Sequence, residues 1–406
     1  MVAERLTEEP VVILTGARTV GKSTLLAACA HVHGVQVVDL DDVATRRAVA
    51  ADPDLFTSAP DEPVCVDEFQ RVPELLDAIK ASLNRDLRPG RFLLTGSTRY
   101  QTLPRASQSL TGRAHVVTMW PLSQGELRGR RETFLDTLVT EPARLVTAAP
   151  STTTRSEYEE LILAGGFPIA RARSNRARAR WFRDFVDMVI DRDVLEIRRV
   201  RQREVLPLVL HHLAGQTGGL VNVSDIAARV HLDARLVGDM VTLLESVFLV
   251  HRLGAFGRTL AGRVNRSPKL HVVDSGLAAF LLGVNERRLR TRDPGTLTGF
   301  GQVVETFVVN ELVKQAGWAD AVVGFGHFRT RDQHEVDLVV RSEDGAVAGV
   351  DVKAASTVTD DDFRGLRVLR DRLGADFVGG VVVNLGQHSY THGDRLHVVP
   401  LDRLWA

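Results

Sequence analysis

The apolar run Val11-Val12-Ile13-Leu14-Thr15 leads directly into Gly16-Ala17-Arg18-Thr19-Val20-Gly21-Lys22-Ser23, and a helical pattern follows over 23–30. Few other stretches of this length constrain a chain so tightly. The glycines let the backbone bend until successive N–H groups converge on a phosphate. Lys22 adds a point charge, and the Ser23 hydroxyl can enter a Mg²⁺ shell. A helix starting near Gly21 points the positive end of its dipole at the same anion. The segment therefore reads as a nucleotide-binding P-loop, with Gly16, Ala17, Arg18, Thr19, Val20, Gly21, Lys22, Ser23 and Thr24 as the residues that hold ATP.

Four further apolar runs follow at 35–40, 63–66, 91–95 and 115–119, separated by helical or polar stretches. That alternation predicts a parallel sheet with helices on both faces. The run at 63–66 ends in Asp67-Glu68. A metal-bound phosphate needs a carboxylate near the loop, so Asp67 is expected to hold Mg²⁺ together with Ser23, and Glu68 to orient and deprotonate the attacking water. An extra strand between the loop strand and the Asp-Glu strand is the arrangement of ATPases with an added catalytic glutamate. In such folds a polar side chain at the end of the next strand sits beside the γ-phosphate, which singles out Ser97. Arg113, in Leu110-Thr111-Gly112-Arg113, is the candidate for stabilising charge on the transferred phosphoryl group, in cis or from a neighbouring subunit.

Charge and cysteine usage narrow the setting. Lys plus Arg number 51 and so do Asp plus Glu. No global field draws the protein to nucleic acid or membrane, and any such attraction must be local. Only Cys29 and Cys65 are present, so no disulfide framework is expected. No apolar run is long enough to span a bilayer, and 1–10 is charged rather than signal-like. The expectation is a cytoplasmic protein with no membrane partner.

The motifs GARTVGKS, VDEFQRVPELL, LLTGSTR and SLTGRA, the segment from Met119 through Glu126, and Gly165-Gly166-Phe167-Pro168 together resemble a large prokaryotic family of AAA-type ATP-binding proteins. The resemblance implies an α/β fold with a P-loop AAA-type parallel sheet core, a helical plus winged-helix middle, and a C-terminal α/β domain related to PD-(D/E)XK nucleases. The corresponding segments are 1–125 for the ATPase core, 126–205 for the helical region, 206–296 for the winged helix and linker, and 297–406 for the nuclease-like domain.

The middle of the chain reads as helices over 155–164 and 176–199. Eleven arginines face six acids between Arg171 and Glu204, a pattern that fits solvated helix faces better than a phosphate surface. In the winged-helix segment Ser224 is expected to cap a helix over 225–230, and Asp233 a second one reaching Ser246. That second helix carries Asp239 and Glu245 against Arg235, a poor composition for DNA. The wing, with Arg252, Arg258, Arg263, Arg266 and Lys269, is better supplied with cations.

Toward the C-terminus, 334–340 and 347–353 alternate as paired strands around a turn at Asp344-Gly345. Such a hairpin brings Asp337, Asp351 and Lys353 to one edge, with Glu305 on an amphipathic helix over 301–314. Asp337 and Asp351 suit a second Mg²⁺ or a Mn²⁺, and Lys353 suits orienting a water or stabilising a phosphodiester, as in the nuclease core that this pattern resembles. From Phe300 onward, however, eleven basic residues face sixteen acidic ones, a net charge of −5. That sign disfavours gripping a polyanion. Two readings stay open: an ATPase that acts on or binds DNA, and a nucleotide-gated regulatory protein whose inactive nuclease-like domain holds a protein partner. Either one allows a homo-oligomer.

Overall fold

The computed structural model describes residues 1–58, 63–97, 110–194, 202–257 and 267–406. Arg258, Arg263 and Arg266, the residues expected to charge the wing, lie outside these ranges. So does 195–199, the expected end of the arginine-rich helix. The chain forms two compact units rather than consecutive segments. One comprises Met1–Trp120, Phe185–Arg203 and Thr242–Leu249; the other comprises Pro121–Asp184, Glu204–Val241 and Val250–Ala406.

The first unit is built on strands β1 (Val11–Gly16), β2 (Val37–Asp39), β3 (Val64–Asp67), β4 (Phe92–Gly96) and β5 (Ala114–Met119). All pairs are parallel and the spatial order is β2-β3-β4-β1-β5. Alternation along β1 shows why both faces are covered. Val11 and Ile13 pack with Phe69, Leu75, Ile79 and Phe92, whereas Val12 and Leu14 pack with Leu26, Ala30, Leu93 and Val117. All four β1 side chains are fully buried, each contributing about 1.5–3 kcal/mol of transfer free energy. Because β4 lies between β1 and β3, the ends of the three strands that carry the loop, Asp67 and Gly96 stand side by side.

The second unit contains a small antiparallel sheet of β6 (Gly219–Leu220), β7 (Val250–Leu253) and β8 (Lys269–Val272), ordered β6-β8-β7. The helix Val223–Val230 is capped by Asn222, whose side chain accepts from the Asp225 N–H, and not by Ser224 as expected. Asn222 is the last non-helical residue, so only its side chain is placed to reach the free amides of the first turn. Asp233 precedes the helix Ala234–Ser246 and accepts from the Arg235 N–H at 2.8 Å.

A six-stranded mixed sheet closes the chain: β9 (Val322–Arg329), β10 (Glu335–Ser342), β11 (Val347–Lys353), β12 (Phe377–Asn384), β13 (Tyr390–Gly393) and β14 (Leu396–Pro400). Its order is β13-β14-β12-β11-β10-β9. β10 and β11 form an antiparallel hairpin, and the crossover from β11 to the parallel β12 runs through the helix Arg364–Leu373. Leu366, Leu369 and Leu373 of that helix pack on Val336, Val339 and Val382. The helix Pro294–Gln315 is longer than expected and is not amphipathic. Val303, Val304, Thr306, Phe307, Val308, Val309 and Asn310 are all buried, so it is covered around its circumference.

Candidate nucleotide site and a buried carboxylate cluster

In the first unit the loop's conformation depends on its glycines. Gly16 has φ +151°, and a Cβ there would lie 2.1 Å from the Met119 carbonyl oxygen. Gly21, at φ +103°, opens the helix Lys22–His33, and Thr19 between them is also left-handed. Such a turn directs main-chain N–H groups inward as an anion nest. Lys22 is 6% exposed, and its ammonium donates to the Gly16 and Ala17 carbonyls at 3.0 and 2.8 Å. Ser23 and Thr24 are exposed at the first helical turn. Hydroxyl and carboxylate oxygens are the hard donors Mg²⁺ takes, so Ser23, with Asp67 two strands away, fits that ion beside the phosphates of ATP.

Burial pushes the Lys22 ammonium down from 10.5 to about 8, against the opposing pull of Glu68 and then Asp67. A phosphate bound at the loop favours the charged form, so binding above that pH must recruit a proton. Affinity for ATP is therefore expected to hold below about pH 8 and to fall roughly tenfold per unit above it. Titration of a fluorescent ATP analogue between about pH 7 and pH 9.5 checks this, and a flat profile would contradict it.

One hydrogen-bonded chain runs along the strand ends. The Thr95 hydroxyl donates to Asp67 and accepts from the Glu68 N–H at 3.3 Å. Glu68 itself has φ +54°, a left-handed conformation rare for a residue with a Cβ. The Gln70 amide donates to Glu68 and to the Ser97 hydroxyl, the latter at 3.3 Å. Asp67, Glu68 and Ser97 are thus brought together, through two residues that sequence reasoning did not single out. Their signals were faint: Gln70 stands two after Glu68, and Thr95 is one more polar residue before Gly96-Ser97.

Two of the expected residues sit differently. The Arg18 guanidinium is bound to Asp193, its Nε lying 2.7 Å from both carboxylate oxygens, with 13% and 2% of the two side chains exposed. Arg18 is thus left its main-chain N–H for phosphate. Asp193 ends a π-helical turn, Val189–Asp193, and no local pattern announced it. Arg113 precedes β5, whose first residue pairs with Val11, while Met119 pairs with Gly16. It therefore lies at the opposite end of the strands from the loop, about 20 Å along them. There its guanidinium donates to the Asn84 side chain at 2.7 Å. This placement does not bring Arg113 to the loop of its own chain.

In the second unit Asp337 and Asp351 face each other on the β10–β11 hairpin, as the Leu338–Val350 register requires. Glu305 comes from the helix Pro294–Gln315. Asp337 accepts from the Val352 N–H at 2.9 Å, and Lys353 donates to Asp351 at 3.0 Å. The cluster's centre holds another residue. Lys269 of β8, 1% exposed, places its ammonium 2.7 Å from Glu305, 2.6 Å from Glu335 and 2.8 Å from Asp337. Burial would strip its proton, but Asp337, Glu305 and Glu335 together outweigh that and hold its pKa above the usual lysine value. Desolvation and then the adjacent Asp337 push Asp351 well up. Lys269 is therefore no exposed wing cation as expected from the sequence; β8 turns it inward, between Pro268 and the buried Leu270. Gly218 (φ +76°) closes over the cluster, and a Cβ there would lie 2.9 Å from Glu305 Oε2.

The arginine-rich helix Asn175–Met188 fits a solvated face with local bonds. Arg178 donates to the Ala170 and Arg173 carbonyls, and Arg171 to that of Gly165. Among the described residues no helix is long and apolar enough to cross a membrane.

A glycine-nested loop before a helix, with Asp67, Glu68 and Ser97 on neighbouring strand ends of a parallel sheet, defines a P-loop nucleotide-binding unit. Residues 8–128 match the family model described as an AAA domain. Residues 155–288 match a domain of unknown function, DUF8612, and residues 300–404 another, DUF4143. Uncharacterized proteins of Mycobacterium tuberculosis and Mycobacterium bovis are each 27% identical over 97% of this chain and 81% of their own length. An uncharacterized protein of Haemophilus influenzae is 24% identical over 69% of this chain and 62% of its own. A solved assembly of Thermococcus gammatolerans McrB AAA+ hexamers with bound McrC shares 14% identity and a TM-score of 0.20, covering 49% of this chain and 48% of that one. A likeness that low carries no argument.

Proposed function

We propose that the chain is a Mg²⁺-dependent ATPase. One observation carries the reading: Asp67, Glu68 and Ser97 stand on strand ends beside the loop, tied together by Thr95 and Gln70. In this reading the loop amides and Lys22 hold the phosphates of ATP, and Ser23 and Asp67 hold Mg²⁺, Asp67 through water. Glu68 takes a proton from the attacking water, with Gln70 fixing its carboxylate and Ser97 facing the γ-phosphate. The segment from Phe300 onward serves as a binding module for a protein partner, a choice favoured over DNA cleavage by its net charge of −5 and by the carboxylate cluster that Lys269 fills. Phosphate release measured with and without single-stranded and duplex DNA, with the DNA monitored for cleavage in the same tube, tests both parts. No Mg²⁺-dependent release would end the ATPase reading, and metal-dependent cutting would end the binding-module reading.

A role for Arg113 in hydrolysis requires a second copy of the chain, because Arg113 stands far from its own loop. Specific activity is then expected to rise with protein concentration. Mixing Arg113→Ala with Glu68→Gln should recover about a quarter of wild-type turnover if pairing is random, at interfaces that combine one intact half of each. Activity independent of concentration, with no recovery on mixing, would place Arg113 outside catalysis.

A further inference from the structure

The carboxylates Glu305, Glu335 and Asp337 surround a single point, and an ammonium occupies it. A lysine ammonium has three N–H donors, and three carboxylate oxygens at 2.6–2.8 Å use all of them. Several neighbouring groups are committed as well. The second oxygen of Asp337 takes the Val352 N–H, Asp351 takes Lys353, and Glu335 lies 3.6 Å from Arg329. Mg²⁺ demands near-octahedral oxygen ligation at about 2.0–2.1 Å. No such shell can form around a centre already filled by nitrogen. Of the residues that resemble a nuclease metal site, Glu305 and Asp337 are taken by Lys269 and Asp351 by Lys353, and so held they do not fit the metal.

We infer that Lys269 is the resident cation of this cluster, a fixed substitute for a divalent ion, and that the C-terminal α/β sheet is a metal-free relative of a nuclease core rather than a nuclease awaiting its metal. The ammonium is fixed because its strand is. β8 is paired on both sides, with β6 and with β7, and Leu270 and Val272, which follow Lys269, are fully buried. Withdrawing the ammonium would leave the buried Asp337 and the partly buried Glu305 without the cation that both contact. A gate that opens in normal turnover would not be built this way. The ion pair also joins β8 to β10 and to the helix Pro294–Gln315, so in this chain the cluster serves to pin elements together. The inference concerns the second unit alone and stands or falls independently of the ATPase reading.

Its test uses the full chain, nucleotide-free and stripped with EDTA, and reads Mn²⁺ binding by calorimetry and by the loss of the free-Mn²⁺ EPR signal. The parent protein is expected to bind no Mn²⁺ that Asp337→Asn removes, and its melting temperature should not move with added Mn²⁺. Lys269→Met should melt lower than the parent. It should gain about one Mn²⁺ per chain with a rise in melting temperature, and the double variant Lys269→Met/Asp337→Asn should lose that gain. Asp337-dependent Mn²⁺ binding by the parent would overturn the inference. So would a folded Lys269→Met that gains no metal, since Lys269 would then be an ordinary ion pair and not a cation's substitute. Should Lys269→Met fail to fold, the comparison of the parent with Asp337→Asn decides alone: Asp337-dependent binding overturns the inference and its absence upholds it.

Discussion

Replacing Lys22 by alanine is expected to raise the Kd for ATP by roughly 10²–10³-fold, equivalent to about 3–4 kcal/mol. Lys22 is almost wholly buried, and its ammonium is held in the loop by the Gly16 and Ala17 carbonyls. A phosphate replaces those neutral acceptors with charged ones in a site where water screens little, so the contact is worth more than a surface ion pair. The same burial predicts what the substitution will not do. At neutral pH the protein bears the cost of keeping this ammonium desolvated, which is why its pKa is lowered to about 8. Removing it should leave the melting temperature of the nucleotide-free protein unchanged or slightly raised. Isothermal titration with ATP and a thermal melt on the same sample separate the two effects. An unchanged affinity would contradict the phosphate-binding role, and a collapsed melt would make Lys22 a structural residue.

Glu68→Gln is expected to bind ATP within about threefold of the parent while turnover falls roughly 10²–10⁴-fold. The amide keeps the shape of the carboxylate and can turn its oxygen toward Gln70, so the chain through Gln70 to Ser97 survives. What it loses is the ability to accept a proton from water. Single-turnover hydrolysis beside a binding titration reads the two quantities, and parallel loss of both would mean that Glu68 shapes the site without taking part in the chemistry. The left-handed backbone at Glu68 makes this a fair test, since glutamine meets the same steric demand there as glutamate.

The loop, its strand and its helix could be read from residues 11–33 alone, because their geometry is dictated within one short stretch: two glycines at positive φ, a lysine and a hydroxyl at set offsets. The five strands of the first sheet could be read as well, since each is a short apolar run bounded by polar residues, and the three central ones, β1, β3 and β4, are buried on both faces. Asp67 and Glu68 followed from where such a run ends. The hairpin carrying Asp337 and Asp351 was visible as alternation around Asp344-Gly345. In each case the cause and the consequence lie within a few residues of one another.

Other features depended on partners far away in the chain, for which local pattern holds no signal. Arg18 meets Asp193 across a separation of 175 residues, and Gln70 and Thr95 matter only because β4 inserts between β1 and β3. The register of β5 puts Arg113 at the far end of the strands from its own loop, which a linear spacing cannot express. Lys269 shows the limit most plainly. In the sequence it is a basic residue on a strand of a presumptive wing, and in the fold it is the counter-ion of three carboxylates, one of them Asp337, 68 residues further along. Local residue chemistry sets which groups can carry charge; which opposite charge each meets, and whether water is present there, is a property of the packed tertiary structure.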